Sequence, residues 1–236
     1  MKRLAIIPAR GGSKRIKNKN IKNFCGQPII NYIISSAKGS KLFDKIHVST
    51  ESNLIKEVVE KNQLTIDFMR PERLSDDFTP LMPVISFVLD RYKTMNIYFE
   101  EVWLLFACAP LIDKDDLISA SKVYAAQEIN LKKPLLAVVE YPSPVERSYL
   151  KDSKNILHPR YGNKLKERSQ DLPKSFYDSG TFVIYPNSFL SQQEKKVINN
   201  DYIGYELSTM KAIDIDTQKD WDLAEALFRG KNYRKT

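Results

Sequence analysis

The chain has 236 residues, 37 Lys or Arg against 29 Asp or Glu, a formal net charge of +8, and 42% hydrophobic residues. That length suits one large domain, and no run reaches the about 18 consecutive apolar residues expected of a membrane span. Two cysteines, Cys25 and Cys108, offer neither a disulfide framework nor a zinc spacing, and His47 and His158 leave little room for histidine catalysis. The basic excess is scattered along the chain, as on a solvated surface with an anionic substrate, and nucleic-acid binding is not expected.

The N-terminus, MKRLAIIPARGG, has too short an apolar stretch for a signal peptide, and Arg10 interrupts it; it reads as the first strand (3–8) of a cytoplasmic protein. A glycine-rich basic loop follows. Ile29, Ile30, Ile33, Ile34 and Ala37 recur at helical spacing, with Gly39 as a stop. KIHVST (45–50) is a strand, ESNLIKEVVEKN (51–62) a helix and LTIDFM (64–69) a short strand. After the polar loop RPERLSDDFTP comes a helix over 81–95 with Pro83 in its first turn. EVWLLFACAP (101–110) reads as a long buried strand, 113–128 as an acid-started helix and PLLAVVEY (134–141) as another buried strand. This alternation predicts an α/β fold, a doubly wound, mainly parallel sheet covered on both faces.

Residues 142–172 break the pattern with short alternating pieces, turns and dense charge. That is too long for an ordinary connection and predicts an inserted functional or interface arm within a single domain, 1–236. Strands at 179–186 and 209–216 and a helix from 217 complete the chain.

Two stretches carry chemistry. IPARGGSKRIKNKN (7–20) follows the first strand with five basic side chains and no acid. In a doubly wound sheet, ligands sit at the carboxyl ends of strands. Gly11 and Gly12 can take positive φ and converge backbone N–H groups on an anion, Ser13 adds a donor, Arg10 offers a bidentate fork, and Lys14 and Lys19 act as point charges. The spacing is neither a dinucleotide fingerprint nor a Walker loop. Near the other end, AIDID puts Asp214 and Asp216 on one side of a strand and Ile213 and Ile215 on the other. Paired carboxylates repel unless a cation relieves them, and Mg²⁺ shared with substrate phosphates suits both stretches. Capping of the last helix by Asp216 or Thr217, with Asp220, is the competing explanation.

IPARGGSKRIKNKN, FCGQPII, FDKIHVSTES, RPERLSDDFTP, ERSQDLP and IDIDTQKDW, in that order, resemble the sugar-acid cytidylyltransferases, the CMP-sialic acid synthetase family, over nearly the whole chain. The resemblance implies a nucleotide-diphospho-sugar transferase-like fold and transfer of CMP from CTP to a nine-carbon nonulosonic acid, with release of pyrophosphate. RPERLSDDFTPLMPV and ERSQDLPKSFYDSG are most similar to the members acting on pseudaminic acid; legionaminic acid and N-acetylneuraminate are the alternatives. It further implies that Arg10, Gly11, Gly12, Ser13, Lys14, Lys19, Asn20 and Arg70 bind the nucleotide. Lys19 and Asp214 would be catalytic, Asp214 and Asp216 the Mg²⁺ ligands, and Arg168, Gln170 and Phe106 the sugar contacts, with Tyr177 and Asp178 close by. Phe106 stands where the sialic acid enzymes commonly have a glutamine, which suits a deoxy or methyl-bearing sugar. A homodimer through the arm is implied as well. A basic nucleic-acid-binding module is the alternative of another class, but it should interleave aromatic residues with the bases, and this loop has none.

Overall fold

The computed structural model describes residues 1–127, 133–193 and 201–233. Its strands are β1 (Arg3–Pro8), β2 (Asn23–Phe24), β3 (Gln27–Pro28), β4 (Lys45–Ser49), β5 (Glu101–Leu105), β6 (Leu135–Glu140), β7 (Tyr149–Lys151), β8 (Leu157–Pro159), β9 (Phe176–Pro186) and β10 (Ile203–Glu206). The helices are α1 (Ile30–Ser40), α2 (Asn53–Lys61), α3 (Leu81–Thr94), α4 (Lys114–Ala125), α5 (Asn187–Gln193) and α6 (Gln218–Tyr233).

Six strands form one sheet in the order β10-β6-β9-β5-β1-β4. β1 pairs in parallel with β4 and β5, and β10 in parallel with β6, whereas β9 runs antiparallel between β5 and β6. β5 is buried along its whole length, as a central strand covered on both faces must be. Alternate residues of β1 feed opposite cores. Ala5 and Ile7 pack with α1, α2 and α4, while Leu4 and Ile6 pack with α3 and α5. The expected doubly wound α/β sheet, mainly parallel, is therefore what the chain forms.

The α1 helix passes through Gly39, the expected stop, and ends at Ser40, where Lys41 takes a left-handed φ of 55°. α4 begins with a reciprocal capping box between Asp113 and Asp116. Three expected strands differ. Residues 64–69 form no ladder, although Ile66 and Phe68 are buried. The strand from 101 stops at Leu105; Ala107, Ala109, Leu111 and Ile112 bury themselves in a loop instead. Residues 209–216 also lie outside the sheet, and its edge is β10, from a stretch not expected to be a strand. Lys211 donates to Asp116 at 2.7 Å and Asp113 at 3.1 Å, anchoring this segment to the start of α4. A short apolar run shows that a segment is buried, not that its backbone is paired.

A third, smaller core ties the two chemical stretches together. Ile16 of the basic loop packs with Phe24, Ile29, Ile215, Trp221 and Ala224. Phe24 meets Trp221 and Phe228 edge-on at 5.4 and 5.5 Å, contacts worth about 0.5–1.5 kcal/mol each beyond area burial. The arm expected at 142–172 is a β7–β8 hairpin flanked by single helical turns. Its two strands are exposed, with Tyr149, Leu150 and Leu157 about half accessible or more, while Leu172 at its end is buried.

His47, read as a structural histidine, is fully buried between Phe68 and Tyr92, with ring centroids at 4.3 and 5.7 Å, and neither ring nitrogen has a partner. Burial lowers its pKa to about 4; Lys45 adds to this, and Asp67 opposes it. The unfolded chain takes up this proton below about 6.5, and the folded one does not until about 4. Stability therefore falls with pH across that window, at up to about 1.4 kcal/mol per pH unit. Urea unfolding between pH 6.5 and 4.5 should show this slope in the wild type, and His47→Phe should flatten it.

Candidate active site

The carboxyl ends of β1 and β5 open onto a cleft of about 320 Å³. The opening loop contributes Arg10, Ser13, Lys14, Arg15, Lys19 and Asn20, and the far end of the chain contributes Asp214 and Asp216. Arg70 and Phe106 complete opposite parts of the wall. Two stretches about 200 residues apart thus share one concavity.

Specific contacts hold the loop's shape. Asn18 takes the left-handed region at φ 53°, which asparagine tolerates better than most residues, and starts a single helical turn at Lys19–Ile21. Asn20, almost buried, donates its amide to the Arg10 carbonyl at 2.9 Å and accepts from the Cys108 thiol at 3.3 Å. Burial pushes that thiol up to about 12, so it stays protonated as a donor. Lys19 Nζ donates to the Ile215 carbonyl at 2.6 Å and lies 3.3 Å from Asp216 Oδ1, while Arg15 reaches Asp216 Oδ2 at 3.0 Å.

The acids keep their alternation without a β-ladder, because Ile215 and Ile213 both face the third core. Asp216 does not cap α6 with its side chain. Thr217 and Asp220 do so, with Thr217 N donating to Asp220 Oδ2 at 2.7 Å. With both Asp216 oxygens engaged by cations, Asp214 is the carboxylate left open. No hydrogen bond or ion pair reaches it among the described residues. Burial and then the neighbouring Asp216 charge raise its pKa, only partly offset by Lys19. Gly180, at φ 62°, lets the β9 backbone pass Asp214; a Cβ there would lie 3.1 Å from the Asp214 carboxyl carbon. Among the described residues no group of three or more His, Cys, Asp or Glu is placed to hold a metal ion. Two carboxylates, one uncompensated, fit a hard divalent cation that takes its remaining ligands from a substrate and water.

The glycines work differently from the expectation. Neither Gly11 nor Gly12 has positive φ, and the Gly11 N–H is taken by Glu51 Oε1 at 2.6 Å, so the pair forms no anion-binding nest. Gly11 serves close approach instead, since a Cβ would lie 3.0 Å from Ser52 Cβ. Glu51 also binds Arg70 Nη2 at 2.8 Å. Burial would raise the Glu51 carboxyl, but the Arg70 guanidinium and the Gly11 N–H outweigh it and hold it below the usual range. Arg70 is itself buried, and its Nε has no partner.

Arg168 and Gln170 lie outside the cleft of this one chain, in an exposed turn of the arm, where Arg168 Nε pairs with Asp171 at 2.8 Å. The sequence reading assigned no role to Arg15 or Glu51. Glu51 was findable, since it lies just past the carboxyl end of β4, where α/β sheets bind ligands. Gly180 and Arg15 carried no such signal.

The cytidylyltransferase family profile matches residues 4–234. The chain is 34% identical to a pseudaminic acid cytidylyltransferase of Campylobacter jejuni over 97% of both chains. It is 28% identical to a CMP-N,N'-diacetyllegionaminic acid synthase of Legionella pneumophila over 96% of both. A solved CMP:2-keto-3-deoxy-manno-octonic acid synthetase, complexed with CTP, superposes with a TM-score of 0.72 at 14% identity over 98% of this chain and 100% of that one, a likeness of fold. With a match along its whole working length, the chain belongs to the cytidylyltransferase family.

Proposed function

We propose that the protein activates a nonulosonic acid, pseudaminic acid, by transferring CMP to it from CTP. One observation carries the reading: the basic loop and the paired acids line the same cleft, in a chain 34% identical to a pseudaminic acid cytidylyltransferase. The sugar's anomeric hydroxyl oxygen bonds to the α-phosphorus, the bond to the bridging oxygen breaks, and pyrophosphate leaves with that electron pair. The hydroxyl proton passes to solvent. Catalysis of this kind is positioning and charge stabilisation.

Arg10, Ser13 and Lys14 bind the β- and γ-phosphate oxygens, and Lys19 stabilises charge developing at the α-phosphate. Arg70, fixed by Glu51, lines the cleft and binds the pyrimidine end. Asp214 and Asp216 would hold Mg²⁺, which when bound neutralises phosphate charge and lowers the pKa of the attacking hydroxyl. Phe106 gives the sugar an apolar wall suited to a deoxy, methyl-bearing substrate. Arg168 and Gln170, outside their own cleft, reach a sugar site in a homodimer that exchanges the arms, covering the exposed Tyr149, Leu150 and Leu157. The enzyme works in the cytoplasm; among the described residues no helix is long and apolar enough to cross a membrane.

The substrate assignment is tested by pyrophosphate release from CTP across a panel of nonulosonic acids. Pseudaminic acid should give the highest kcat/KM, and preference for legionaminic acid or N-acetylneuraminate would overturn the assignment. Lys19→Met should lower kcat by about 10²–10³-fold with a smaller change in KM for CTP. Asp214→Asn should lower turnover by on the order of a hundred-fold or more. It should also raise the melting temperature of the metal-free protein, because a carboxyl whose pKa is raised on folding destabilises the fold at neutral pH. Calorimetry with added Mg²⁺ should narrow that gap by stabilising only the wild type.

A further inference from the structure

Two acids in the cleft, Asp76 and Asp77, belong to neither the metal pair nor the helix caps, and Asp77 is the one whose carboxylate grips cations. Asp77, in the loop between Arg70 and α3, places Oδ1 2.5 Å from Arg10 Nη1, and its other oxygen pairs with the Lys14 ammonium. Arg10 Nη1 also donates to the Asp76 carbonyl at 3.0 Å. These are the only hydrogen bonds and ion pairs, among the described residues, that join residues 75–79 to the rest of the molecule beyond residues 71 and 72. The others are local: Asp76 Oδ1 accepts from Phe78 N at 2.8 Å and Thr79 N at 2.6 Å, and Ser75 bonds back to Pro71 and Glu72. Phe78 points away from any packing, 91% exposed. The latch therefore consists of a carboxylate gripping two cations.

We propose that Asp77 is a positioning residue that stands in for a phosphate: it holds Arg10 and Lys14 in their binding arrangement and must be displaced when a polyphosphate enters. Arg10 and Lys14 both line the cleft, so a triphosphate bound there and the Asp77 carboxylate compete for the same donors. Occupying both at once would set a carboxylate among phosphate oxygens, a like-charge contact that opposes binding. The competition trades affinity for release, since a cleft that bound pyrophosphate with unopposed cations would hold its product longer. The Lys14 ammonium, and then the Arg10 guanidinium, keep the Asp77 carboxyl below the usual range, so the latch stays charged at neutral pH.

This rests on the triphosphate reading of the cleft, and the test separates the two. Dissociation constants for inorganic pyrophosphate and for CTP are measured by calorimetry at fixed ionic strength, on wild type, Asp77→Asn, Asp77→Glu and Asp115→Asn. Asp115 is an exposed acid in the first turn of α4 and away from the cleft, and it controls for net charge. Asp77→Asn should bind both probes about five-fold more tightly. Its KM for CTP should fall in parallel without a rise in kcat, and inhibition by pyrophosphate should deepen by the same factor. Asp77→Glu and Asp115→Asn should stay near wild type. Unchanged or weaker binding by Asp77→Asn, or an equal gain in Asp115→Asn, would overturn the latch and leave the triphosphate reading standing. Absence of binding to every protein would overturn both.

Discussion

Lys19 is the joint on which the site turns. Its ammonium reaches the Ile215 carbonyl and the Asp216 carboxylate, groups nearly 200 positions away in the chain, and so fixes the distance between a loop of cations and a pair of acids. A partly exposed ion pair of this length adds little to stability. Here the aromatic and aliphatic contacts beneath it, among Ile16, Phe24, Ile215 and Trp221, supply the cohesion. The ionic contact then selects one arrangement from those the core would permit. Adhesion and alignment come from different forces.

The cleft is balanced to near neutrality. Arg10, Lys14, Arg15, Lys19 and Arg70 face Asp76, Asp77, Asp214 and Asp216. Each of these five cations already has an anionic partner within the chain, so they are held in place before a substrate arrives. Such preorganisation lowers the reorganisation required at the chemical step. It also means that an anionic ligand enters by exchange, replacing internal partners one by one. Asp214 is the exception, the cleft acid that no hydrogen bond or ion pair reaches among the described residues.

Much of this was legible in the sequence because it follows from local chemistry. Apolar runs marked β1, β5 and β6, helical periodicity marked α1 to α4, and the alternation in AIDID survived even though the segment forms no strand. Periodicity records which side chains are buried. It does not record whether the backbone pairs, so 64–69 and 209–216 were read as strands, while β10, partly exposed along its length, was missed. The cleft's ends were likewise visible in Arg10, Lys19, Asp214 and Asp216. The parts that were not visible depend on tertiary approach: Glu51 meeting Gly11 and Arg70, Arg15 turning to Asp216, Gly180 making room for Asp214. In the same way, Gly11 was read as turning its N–H onto an anion and proved to be a point of close contact.

The joining of the chain's two extremities has a bearing on biosynthesis. The basic loop is made nearly 200 residues before AIDID, so Arg15 and Lys19 lack their acidic partner, Asp216, while the residues between are translated. Because β9 inserts between β5 and β6 only after the arm has emerged, the central sheet also closes late. Until AIDID has been made the cleft lacks Asp214 and Asp216, so its paired acids join the cations only after β9 has been made.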